Sequence, residues 1–223
     1  MDPVTFAYYP VFARTPDLRY RPPSDLEQVA HEAEILLKEW SDRVTLRGTY
    51  STVAFRSDAD LMMWWVAGSA ETLQDLLVEF RRTALGKGLE LQHAFLGVVR
   101  PAEFSKDHLP AFLKGEGPKK YLCVYPFVRT SDWYLLPPDE RSSLLREHGE
   151  MGREFPDVLA NTTSAFGLGD WEWILAFEAD DVSRIVDCIR RLRQAEARRF
   201  TKEEIPFITG IRKEFVQAVR DLA

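Results

Sequence analysis

The sequence predicts an α+β protein made of two ferredoxin-like βαββαβ halves, a dimeric α+β barrel type duplicated within one chain. Three observations carry this prediction. Two β-prone runs resemble each other, each with a Tyr-Pro and a closing Arg: Val4–Arg14 contains Tyr9-Pro10, and Lys120–Arg129 contains Tyr125-Pro126, 116 positions further on. Asp60 opens a Trp-rich apolar run followed by a helix ending in Arg81-Arg82, and Asp170 opens a second such run followed by a helix ending near Arg190-Arg191. Finally, each half reads in one order of periodicities: strand, helix, strand, strand, helix, strand.

Each element has a local reason. In the first half, residues 1–100, Ser24 reads as an N-cap with Glu27 completing a capping box. Leu26, Val29, Ala33, Leu36, Leu37 and Trp40 then recur at helical spacing to about Asp42. Strands follow over Val44–Phe55 and Leu61–Ala67, then a helix over Ala70–Leu85 behind the cap Ser69, then a strand over Leu89–Val99. Residues 101–119 hold Pro101, Pro110, Pro118, Gly115 and Gly117 among charges, and read as an irregular connection. The second half, residues 120–223, follows its opening strand with a helix over Pro138–Phe155, whose proline stands where an early helical proline is tolerated. Strands over Ala160–Phe166 and Trp171–Phe177, a helix over Asp181–Arg199 and a closing strand near Pro206–Ile211 complete the copy.

Composition narrows the function. A net charge of −6, from 29 basic and 35 acidic side chains, provides no global field for nucleic acid or anionic lipid. No apolar run approaches the roughly 20 residues of a membrane helix, and the amino terminus lacks the basic and apolar pattern of a signal peptide. Cys123 and Cys188 stand too far apart for a CxxC site and are too few for a disulfide framework. A soluble cytoplasmic protein is expected.

The chemistry rests on single residues. None of the four histidines, His31, His93, His108 and His148, is paired at metal-ligand spacing, and no phosphate loop, nucleophile elbow or kinase signature occurs. His148 has Leu144, Leu145, Met151, Gly152 and Phe155 as helical neighbours, so it reads either as a core histidine or as an axial ligand to a haem-type iron. His108 reads as a loop histidine or as a general base over a pocket. Tyr125 and Trp133 read first as packing residues. From the residues alone, the chain is a duplicated α+β protein with an apolar pocket of unassigned use.

The run Tyr121–Arg129, continuing through Asp132-Trp133-Tyr134-Leu135-Leu136-Pro137, resembles coproheme decarboxylases of the actinobacterial type, in the chlorite dismutase-like superfamily. So do Glu147-His148-Gly149, Gly169-Asp170-Trp171-Glu172-Trp173, Glu196-Ala197-Arg198-Arg199, Pro206-Phe207 with Thr209-Gly210, and Pro101-Ala102-Glu103-Phe104 with His108. The resemblance implies hydrogen peroxide-dependent decarboxylation of iron-coproporphyrin III (coproheme) to haem b through a tyrosyl radical. It further implies His148 as the proximal iron ligand, Tyr125 as the radical site, His108 as the base, and Trp133 and Arg129 beside the substrate's propionates. A homopentamer, and transient contact with the ferrochelatase that supplies coproheme, are implied as well. Arg212, Lys119 and Lys120 are weaker candidates for binding carboxylates.

The chain also departs from the pattern. Val66 and Val99 stand where related sequences carry histidine, and Ile208 and Ile211 stand where Tyr and Arg are expected. The alternatives are chlorite decomposition and a non-catalytic haem-binding or carrier protein. Chlorite decomposition uses a distal arginine on the segment after the proximal histidine helix, and no arginine occurs between Arg153 and Arg184.

Overall fold

The computed structural model describes residues 4–100 and 109–223, and the chain divides into two units, Met1–Val99 with Ile208–Ala223, and Arg100–Phe207. His108 therefore lies outside the described residues.

In the first unit, β1 (Phe6–Arg14), β2 (Val44–Ser51), β3 (Leu61–Ala67), β4 (Leu89–Val98) and β9 (Ile208–Lys213) form antiparallel pairs in the order β4-β1-β3-β2-β9. The Leu61–Trp65 segment of β3 is wholly buried. On one face pack α2 (Pro23–Glu39), α3 (Ala70–Arg82) and α8 (Phe215–Arg220). Phe80 of α3 lies 5.6 Å from Phe12 and 6.2 Å from Trp65, ring centre to ring centre. The helix expected over Ala70–Leu85 ends at Arg82, where Thr83 caps a separate short helix α4 (Ala84–Lys87), and a further short helix α1 (Pro16–Arg19) starts behind the Thr15 cap.

Local chemistry sets the boundaries. Ser69 caps α3 by accepting from the Thr72 amide, as expected. Ser24 does not cap α2. That helix begins at Pro23, whose ring presets the helical φ, and the Ser24 hydroxyl donates to Asp25 inside the first turn. Strand β2 stops at Ser51 rather than Phe55, because the Phe55 amide bonds back to the Thr52 carbonyl and closes a turn through Ala54 at φ 70.

In the second unit, β5 (Tyr121–Arg129), β6 (Leu159–Ser164), β7 (Trp173–Ala179) and β8 (Thr201–Glu203) pair in the order β8-β5-β7-β6. That is the order β4-β1-β3-β2 of the first unit, one copy later, so the two halves share the ferredoxin-like arrangement. Helix α6 (Pro138–Arg153) joins the first two strands, and α7 (Val182–Leu192) follows the third behind the Asp181 cap. The short α5 (Ser131–Leu135) lies between β5 and α6.

Two expectations differ from the structure. The helix expected to reach Arg199 stops at Leu192. A 3₁₀ turn over Glu196–Phe200 follows, and the Thr130 amide binds the Phe200 carbonyl at 2.8 Å, drawing the chain into β8 beside β5. The strand expected near Pro206–Ile211 does not close the second copy, because β8 already holds that place. It runs over Ile208–Lys213 and pairs with β2 of the first unit, with Tyr50 opposite Arg212. Residues 208–223 belong to the first unit for a packing reason: Phe215, Ala218, Val219 and Leu222 recur at helical spacing and enter the core that α2 lines. Arg14 donates to the Leu222 and Ala223 carbonyls, and Arg220 pairs with Glu27 of α2 at 2.6 Å. Truncating Leu222, fully buried, to alanine should cost about 2–4 kcal/mol in denaturant unfolding. The same truncation at Leu135, 81% exposed, should cost less than about 0.5 kcal/mol.

Candidate functional site

The second unit contains a hollow of about 70 Å³ between its sheet and its helices. Residues two apart on a strand share a face, so β5 presents Tyr125, Phe127 and Arg129 to the hollow, and β7 adds Leu175 and Phe177. Ile189 and Leu192 come from α7, Arg193 from its end, Ala197 and Arg198 from the 3₁₀ turn, and Thr201 and Glu204 from β8 and the residue just after it. His148 enters from α6.

Tyr125 is 5% exposed. Its ring stacks on Phe207 at 4.4 Å and tilts against Phe177 at 6.0 Å, while its hydroxyl finds no hydrogen-bond partner among the described residues. Burial, and then the Glu204 carboxylate, hold the phenol far above its ordinary pKa, so it stays protonated at any physiological pH.

His148 likewise takes no hydrogen bond from the described residues. Burial, and then the Arg129 cation, push its pKa below the ordinary 6.5, against a weaker pull from Glu147. The imidazole is therefore neutral near pH 7 and has a lone pair to offer a metal.

Arg129 is fixed in place. One guanidinium nitrogen donates to the Ala197 carbonyl at 2.9 Å, and the cation lies 4.2 Å above the Trp133 ring. Its own amide donates to Glu172 at 2.7 Å. Trp133, 3% exposed, thus supports Arg129 from behind and does not line the hollow.

Among the described residues, no cluster of three or more His, Cys, Asp or Glu could hold a bare metal ion. A single neutral imidazole suits an iron that arrives with a porphyrin's own four nitrogens. Arg129, Arg193 and Arg198 suit the carboxylates of such a ring. In donor chemistry the residues fit an iron porphyrin. In volume the hollow is smaller than the several hundred cubic ångströms that a ligand of that size fills. One wall, α6, is a 16-residue helix with no fully buried side chain.

The protonation of His148 gives a test. The unfolded chain binds a proton near pH 6.5 that the folded hollow resists, so folding stability falls as pH drops through and below that value. His148→Asn should flatten the acid-side loss of stability in chemical unfolding between about pH 7 and pH 5. Equal slopes for the two proteins would show that burial does not hold the imidazole neutral.

Comparison with known proteins places this arrangement. The family model described as chlorite dismutase matches residues 26–213. The chain belongs to the chlorite dismutase family. Within that family it is 52% identical over 190 residues to the coproheme decarboxylase of Mycolicibacterium smegmatis, covering 84% of this chain and 82% of that protein. It is 27% identical over 200 residues to a coproheme decarboxylase of Thermus thermophilus, covering 82% of this chain and 80% of that protein. In fold it is similar to chlorite dismutase from Candidatus Nitrospira defluvii in complex with imidazole. That match has a TM-score of 0.88 at 21% identity and covers 98% of this chain and 94% of that one.

Of the residues singled out by sequence in this family member, the structure brings Tyr125, His148 and Arg129 to one hollow and sets Trp133 behind the third. The weaker candidates lie elsewhere. Lys119 pairs with Asp180 at 3.3 Å, Lys120 lies 5.3 Å from the Tyr121 ring, and Arg212 is exposed on β9 of the first unit. Their backbone positions turn these side chains to the surface. Sequence reasoning did not single out Arg193, Arg198 or Glu204. The run Arg190-Arg191-Leu192-Arg193 and the Glu196–Arg199 motif were visible, but a helix drawn through to Arg199 hid the turn that aims them inward. Glu204 had no signal at all.

Proposed function

We propose that this chain is a coproheme decarboxylase, converting two propionates of iron-coproporphyrin III to the vinyl groups of haem b with hydrogen peroxide as oxidant. One observation carries the reading: an unpartnered phenol and an unpartnered neutral imidazole line the same hollow as three guanidiniums. The 52% identity to a protein of that name supports it.

Each conversion balances as propionate, hydrogen peroxide and one proton giving a vinyl group, carbon dioxide and two waters. The bound iron porphyrin supplies the two-electron redox chemistry and is itself the substrate. His148 offers its lone pair as the proximal ligand. Arg129, Arg193 and Arg198 receive carboxylates, and Trp133 keeps the Arg129 guanidinium flat and aimed. Tyr125 would pass one electron to the peroxide-oxidised substrate ring and its proton to the peroxide-derived oxygen. The phenoxyl would then take a hydrogen atom from the propionate and so recover the phenol. The second electron would pass to the ring as the bond to the carboxylate breaks, leaving vinyl and carbon dioxide. Loss of the Tyr125 proton alone is barred by the burial that raises its pKa, which favours the radical over the phenolate. His108, whose ordinary pKa of about 6.5 suits a base at neutral pH, accepts the proton from peroxide.

Chlorite decomposition is the poorer reading, because β6 carries no arginine for that chemistry. A homopentamer, a cytoplasmic location and delivery of coproheme by a ferrochelatase belong to the same proposal. Among the described residues no helix is long and apolar enough to cross a membrane.

Reconstitution tests the function. Ferric coproheme added to the protein and titrated with peroxide should give a three-propionate intermediate, then haem b, with carbon dioxide released. Bleaching without product would leave a carrier, and the absence of any Soret band would leave no porphyrin site. Tyr125→Phe should bind coproheme within about twofold of wild type yet lose product formation by at least about a hundredfold. Normal turnover in that variant would remove Tyr125 from the mechanism. His108→Ala should slow the peroxide step by about a hundredfold at pH 7, the scale of a lost general base. An unchanged rate would make it a bystander.

A further inference from the structure

A carboxylate already sits on the cations that line the hollow. Glu204, 17% exposed, places Oε2 2.7 Å from Arg193 Nη1 and 2.6 Å from Arg198 Nη1. One oxygen is thus shared by two guanidiniums, and Oε1 takes no partner among the described residues. Glu204 lies on the same lining as Tyr125, and it is the charged neighbour that most raises that phenol's pKa. Its neighbour Glu203 is exposed on β8 and touches neither arginine.

We propose that Glu204 is a built-in stand-in for a substrate propionate, held on Arg193 and Arg198 until a carboxylate of the incoming porphyrin displaces it, and that it thereby sets which porphyrins gain affinity from this pair. The inference rests on the coproheme reading and deepens it. The physics is competition for one pair of donors. Glu204 ion-pairs with Nη1 of both Arg193 and Arg198, so a propionate that takes those same two nitrogens has to displace it. A ring that presents a vinyl group there leaves Glu204 undisturbed and gains nothing from the pair. Glu204 also spares the hollow two adjacent uncompensated cations in a partly buried site. When the propionate beside Tyr125 is lost as carbon dioxide, the two arginines lose their partner, and Glu204 is the carboxylate in place to reclaim them.

The consequence is a differential affinity. If Glu204 occupies the arginines about nine times in ten, the apparent affinity for a ligand that needs them falls about tenfold. Removing the charge restores that factor for tetracarboxylate rings only. The experiment measures binding, by Soret titration, of ferric coproporphyrin III and of haem b to wild type, Glu204→Gln and Glu203→Gln. Glu204→Gln should bind coproheme about tenfold more tightly and haem b within about twofold of wild type. Glu203→Gln, which removes the same charge from an exposed position, should match wild type for both. The rise in Tm on coproheme binding should also be larger in Glu204→Gln than in wild type.

Equal tightening for both porphyrins, an equal effect in Glu203→Gln, or unchanged or weakened coproheme binding would overturn the proposal. The first two results reduce Glu204 to its contribution to the general field, and the last two to a buttress. Should Glu204→Gln fail to fold, Glu204→Asp, its carboxylate withdrawn by one methylene, should show a smaller tightening with the same selectivity, and none would overturn it. Failure of wild type to bind coproheme would instead sink the functional reading on which the proposal stands.

Discussion

The neutral imidazole of His148, half-buried beside the Arg129 cation, is the constraint on which the proposed site depends. A charged imidazole here would face the Arg129 cation and would have no lone pair for the iron that the proposed function requires. Burial and the Arg129 charge act in the same direction, so the lone pair stays available at neutral pH. The arginines play two parts. In the proposed function they would receive carboxylates, and Arg129 adds to the burial that keeps His148 uncharged.

The fold divides the labour accordingly. The first unit is heavily packed, with Trp64, Trp65, Phe12 and Phe80 fully buried, and the carboxyl-terminal strand and helix return to it. The second unit repeats the same strand order, yet the helix that carries its histidine buries no side chain completely. For the proposed function a wall of this hollow of about 70 Å³ would have to shift to admit a tetrapyrrole, and a helix with no fully buried side chain loses least by shifting. Tyr125 sits on the opposite, rigid side. Strand β5 is paired by β7 along its length, and Phe177 and Phe207 hold the ring. In the proposed function the phenol sits on the paired strand and the histidine on the helix with no fully buried side chain.

Much of this was legible in the residues. Strand β3 falls where its apolar run begins and ends, and the Ser69 cap marks the start of α3. The duplication was visible because two copies of one supersecondary unit keep similar spacings of β-prone runs, acids and arginines. Misreadings arose where local pattern and long-range pairing compete. Helical periodicity continues through Arg199, but the Thr130–Phe200 hydrogen bond and the pairing of Arg129 with Thr201 turn the chain into β8. The last strand read as the close of the second copy because sequence adjacency suggests it. The apolar stripe of Phe215, Val219 and Leu222 instead takes it to the core of the first unit.

By itself the sequence determined the α+β class, the doubled βαββαβ order, and the candidates Tyr125, His148 and Arg129, the latter roles through resemblance. These follow from periodicity, caps and motif order, which are properties of neighbouring residues. Tertiary structure alone decided that Trp133 stands behind Arg129, that Arg193 and Arg198 turn into the hollow, and that Glu204 bridges them. An ion pair between a helix end, a turn and the residue after a short strand leaves no periodic trace. It exists only once three segments far apart in their local signals are folded around one space.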